Sequence, residues 1–98
     1  MIVSKKEIMR MMEGLAAGEH LVFGLPQTFG GGVATIELNG LYPQKGQKRF
    51  VLRVGKDQEN ARDSKPFWST DKTKHLAGWV TDRLGDFIEG PVRFKGAA

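Results

Sequence analysis

Within QKRFVLRVGK, residues 47–56, Arg49, Val51 and Arg53 fall on one parity and Phe50, Leu52 and Val54 on the other. Successive side chains of a strand point to opposite faces, so the segment reads as a strand with an oily side and an arginine side. A row of guanidinium groups suits phosphate oxygens, which each group meets with two parallel hydrogen bonds. The charge distribution agrees: residues 41–74 carry nine bases against four acids, the flanking parts are close to neutral, and the whole net charge of +4 lies in the middle. Such a local excess is the footprint of an anion-binding patch, and equally what a solvated loop and strand carry for solubility.

The other reactive residue types do not assemble into a site. Absence of cysteine excludes disulfides, thiolate metal sites and cysteine nucleophiles. The two histidines, His20 and His75, stand in no metal-binding spacing. Asp82 and Asp86 are four apart in a helical pattern, which would make them surface neighbours, an arrangement common on solvated helices. The segment from Gly40 to Lys48 has a phosphate loop's residue types without its spacing, and Gly30-Gly31-Gly32 precedes a strand rather than a helix, which suits a hairpin tip carrying Phe29. Arg83 falls inside the apolar sector of its helix, and a structural role is expected of it. No enzyme, cofactor or metal is expected.

The elements that must position these residues follow from period and punctuation. Ser4-Lys5-Lys6-Glu7 is a capping box with Val3 and Ile8 as its staple, and Ile8, Met11, Met12 and Leu15 share one face, which predicts a helix over about residues 5–17. Strands are expected at 20–23, 33–38 and 48–54, separated by glycine- and proline-rich turns. Residues 55–66 are polar without period and read as a mobile loop. A second helix, capped by Ser69 or Thr70, carries Leu76, Trp79, Val80, Leu84, Phe87 and Ile88 on its apolar side and ends at Gly90-Pro91. A final strand at 92–95 turns Val92 and Phe94 inward, Arg93 and Lys95 outward. The expectation is one α+β domain over residues 1–98, in the order αβββαβ, with a small antiparallel sheet and both helices on one face.

That packing would leave the other sheet face bare, presenting Arg49, Arg53, Arg93 and Lys95, extended by Lys45 and Lys48, with Lys72 and Lys74 at the second helix's start. Phe29 and Tyr42 at hairpin tips, and Trp68, would supply rings on which bases stack. The expected function is therefore non-enzymatic binding of single-stranded DNA or RNA. The alternative is a small protein-interaction adaptor or inhibitor, of the kind phages and mobile elements carry, using the Met-rich first helix, an exposed strand edge or the aromatics around residues 67–68. The partner is a nucleic acid or a protein, a second copy of the chain included. No apolar run approaches the ~18 residues of a membrane span, so no membrane is expected and the location is read as cytoplasmic. The order helix, three strands, helix is similar to that of the double-stranded RNA-binding domain, and STDKTKHLA resembles the lysine-rich start of that family's second helix. The intervening polar segment, the fourth strand and GWVTDRL in place of an alanine-rich run depart from it, and no family is identified.

Overall fold

The computed structural model describes residues 4–83 and 86–93, apart from the side chains of Phe29, Arg83 and residues 86–88. The staple residue Val3, the apolar helix residue Leu84, the inward Phe94 and the outward cation Lys95 lie outside the described residues. Chain order is α1 (Lys5–Glu13), β1 (Glu19–Gly24), a 3-10 turn (Gln27–Phe29), β2 (Val33–Leu38), β3 (Phe50–Gly55), α2 (Gln58–Asp63), β4 (Trp68–Thr70), α3 (Thr73–Arg83) and β5 (Asp86–Arg93). The five strands form one sheet in the order β4-β3-β2-β1-β5, antiparallel at every pair.

The expected α+β architecture is present, with α1 and α3 on one face of the sheet. Leu21 and Phe23 of β1, Ala34 and Ile36 of β2, and Phe50 and Leu52 of β3 meet Ile8 and Met12 of α1 and Leu76, Ala77 and Val80 of α3 in one core. Burial of this kind, about 25 cal/mol per Å² of apolar surface, is the main force holding the layers together. The Ser4 hydroxyl caps α1, accepting from Glu7 N–H at 3.2 Å; it donates to the Glu7 carboxylate, in place of the reciprocal backbone bond expected of a capping box. The helix stops at Gly14 rather than near Gly18, and Leu15 enters the core from the turn that follows.

Three elements depart from expectation. Residues 55–66 hold α2, a helix with no periodic signal because Ala61 is its one buried residue. Asp57 starts it, accepting from Asn60 N–H at 2.8 Å and Asn60 Nδ2 at 2.9 Å, bonds that hold its carboxyl below the usual range. Trp68–Thr70 is not the lead into a helix but the edge strand β4, paired to β3. The second helix is shorter than its apolar pattern: α3 ends by Arg83, and the backbone of Phe87 and Ile88 belongs to β5. The reason is the demand of β1. Leu21, Val22 and Phe23 are all buried, and the backbone amides and carbonyls on the side of β1 away from β2 need partners that only another strand supplies. Gly90 therefore lies within β5, where a side chain would strike the Leu21 backbone, and not at a helix end. Asp82 on α3 and Asp86 on β5 are consequently not a helix-surface pair. Among the described residues no helix is long and apolar enough to cross a membrane.

Candidate functional site

The sheet face away from α1 and α3 is built of two cross-strand rows. One runs Arg53, Thr35, Val22, Glu89; the other runs Ser69, Val51, Glu37, His20, Val92. This face is not bare. α2 lies over it, seated so closely that a Cβ on Gly55 would stand 2.3 Å from Ala61 N, and His20, Val22, Thr35 and Val51 are buried. Gln58 Nε2 reaches from α2 to Glu89 Oε1 at 2.6 Å. Arg53 is spent within this layer: Nε donates to Glu37 Oε1 at 2.7 Å, and Nη1 donates to the Ser64 carbonyl just past α2. Burial lowers the pKa of His20, against the opposing pull of neighbouring Gln58 and Val92 and the charges of Glu37 and Glu89, so its imidazole is held towards the neutral form.

The remaining cations of the expected track go elsewhere. Arg49 precedes β3, where strand alternation no longer governs. Its N–H donates to Asp71 Oδ1 at 2.8 Å, its guanidinium pairs with Glu13 Oε2 of α1 at 3.0 Å, and its charge lies 4.9 Å from the Phe50 ring. Arg93 opposes Glu19 in the ladder, on the parity opposite Val92, and its Nη1 donates to the Ala17 carbonyl at 3.4 Å. Arg49, Arg53 and Arg93 thus occupy three places, not one face. Val92 takes the parity expected of Arg93 because β5 enters the sheet beside β1 in a register no local pattern specifies. Lys45, Lys48 and Tyr42 are exposed on the segment between β2 and β3, where Lys48 stands 3.8 Å from Asp71 and Tyr42 lines a cleft with Arg49, Leu38 and Asn39. Phe29 lies in the 3-10 turn at the other end of β2.

A different site gathers on the α1–α3 side. Trp68 pairs with Leu52 and so projects towards the helices, where it stands 6.5 Å from Trp79 of α3, centroid to centroid. Phe67 flanks Trp79 at 5.7 Å, tilted by 51°, and is 62% exposed. Trp68 and Trp79 form one side of an open cleft of about 350 Å³, completed by Lys5, Lys74, His75, Gly78 and Asp82. Among the described residues, neither Lys5 nor Lys74 has an acidic partner within ion-pair distance. The α3 members fall at 74, 75, 78, 79 and 82, the spacing of one helical face, so that signal was present in the sequence. Lys5 is the member no local pattern predicts, since packing of α1 beside α3 brings it in.

Chemically, the cleft offers stacking surface and, among the described residues, two lysines without an ion-pair partner, opposed by the one carboxylate of Asp82. Among the described residues, no group of three or more His, Asp and Glu side chains stands close enough to hold a metal ion. No family model matches the chain, and no curated protein or solved structure matches it.

Proposed function

We propose that the protein is a non-enzymatic, cytoplasmic binder of single-stranded nucleic acid, acting through the aromatic cleft between α1, α3 and β4 rather than through the sheet. The observation that carries this reading is a cleft lined by the half-buried rings of Trp68 and Trp79 together with Lys5 and Lys74, which have no acidic partner within ion-pair distance among the described residues, with the exposed Phe67 ring against Trp79. Single strands are held by that combination, bases stacking on rings while lysines neutralise phosphates. The basic excess of residues 41–74, nine bases against four acids, supports it, since Lys74 lines the cleft itself and Lys72 lies two residues before it. Two stacked bases at about 1–3 kcal/mol each, with a few phosphate contacts, correspond to weak, salt-sensitive affinity.

The test is a titration of labelled oligothymidylate, followed by anisotropy over a series of salt concentrations. Binding is expected to weaken steeply as salt rises, and Phe67→Ala to lower affinity by roughly tenfold or more with little change in stability, the ring being exposed. No binding at low salt would remove the reading. A protein-interaction role has its own support in Leu41 and Tyr42, adjacent exposed apolar side chains beside the second cleft. It becomes the better reading if the oligonucleotide does not bind and substitution of Leu41 abolishes a purified partner's binding.

A further inference from the structure

α3 carries a glycine at its middle, Gly78, with no backbone reason for one. Its φ is not among the positive values that glycine alone adopts readily, and a helix interior is where glycine is least favourable apart from proline. What the missing side chain provides is room. A Cβ built at 78 would stand 3.3 Å from Lys5 Nζ, a tight approach that the lysine end relieves by moving a few tenths of an ångström, and 3.5 Å from Lys5 Cε, and the same position lines the cleft beside Trp79. Lys5 therefore lays its charged end across α3 at the one point where the helix surface is cut down to backbone.

We propose that Gly78 is the positioning residue of this site, setting the depth of the cleft and holding the Lys5 ammonium beside the tryptophans, where a phosphate would meet it. The inference rests on the reading of the cleft as a nucleic-acid site. It separates two properties that ordinarily move together. A side chain at 78 improves the helix, which alanine and leucine both favour more than glycine does, yet takes room from the cleft and shifts the lysine end, slightly for alanine and further for leucine.

The experiment measures oligothymidylate affinity over a salt series, alongside thermal melting, for the wild type, Gly78→Ala, Gly78→Leu, Lys5→Met and the Gly78→Leu/Lys5→Met double variant. Gly78→Ala is expected to melt higher than the wild type and to bind about threefold more weakly, and Gly78→Leu to bind more than about tenfold more weakly. The slope of log affinity against log salt falls by about 0.7 in Gly78→Leu and in Lys5→Met, as for one lost phosphate contact on a single strand, and falls no further in the double variant. Wild-type affinity and slope in Gly78→Leu would overturn the inference, as would losses that add in full in the double variant. If the wild type itself does not bind, the cleft reading fails and this inference fails with it, whereas a binding wild type with an unaffected Gly78→Leu removes the inference alone.

Discussion

Arg49 and Arg53 share a strand parity in the sequence but not an environment in the fold, and their removal should separate them. In Arg53→Ala, Glu37 loses a charge-assisted bond of 2.7 Å and the Ser64 carbonyl loses its donor, in a layer where both members of the ion pair are only 23% exposed. Breaking a fully buried pair costs about 3–5 kcal/mol, and a single hydrogen bond to a charged group about 1.5–3 kcal/mol. With a quarter of each side chain still in water, and with space vacated through which water can reach Glu37, about 2–3 kcal/mol is the expected loss. For a chain of this size that lowers the melting temperature by roughly 10–20 °C. The Arg49–Glu13 pair, at 35% and 51% exposure, belongs to the screened class worth about 0–1 kcal/mol, and the contact with the Phe50 ring adds about 0.5–1 kcal/mol at most. Urea unfolding followed by the fluorescence of Trp68 and Trp79 gives both numbers under one protocol. Equal losses for the two variants, within about 0.5 kcal/mol, would refute this account of the second sheet face. A steep fall in oligonucleotide affinity for folded Arg53→Ala would return the binding surface to the sheet.

Among the described residues Asp82 is the one carboxylate lining the cleft, so Asp82→Asn should raise oligonucleotide affinity several-fold at low salt, with the gain shrinking as salt rises; no gain at low salt would argue that phosphates do not approach this end of α3. His20 makes the fold acid-sensitive in a defined direction. Its pKa in the folded chain is lowered from 6.5 by burial, so below that value the unfolded chain binds more protons. The stabilising contribution is complete above about pH 6.5 and declines as pH falls towards the lowered value, and His20→Leu, whose stability curve should lack this limb, is checked by urea unfolding at stepped pH.

Much of the local architecture was legible in the chain. The capped first helix, the three central strands with their oily parity, the turn segments and the packing of two amphipathic helices on one side all follow from periods and end signals that neighbouring residues carry between them. α2 was hidden because a short helix with one buried alanine has no period to read. β5 was hidden because Phe87 and Ile88 fit a helical stripe and a strand equally well, and the choice was made by the unpaired edge of β1, far away in sequence. The positive middle of the chain and its aromatic residues were determined by composition alone. Which cations remain available was decided by tertiary contacts: Glu37 and Glu13 reach the two arginines from β2 and α1, whereas packing of α1 beside α3 brings Lys5 into the cleft of Trp79 with no ion pair to it among the described residues. The physical reason is that an arginine's parity is a property of its own strand, while its free charge depends on where every carboxylate in the molecule ends up.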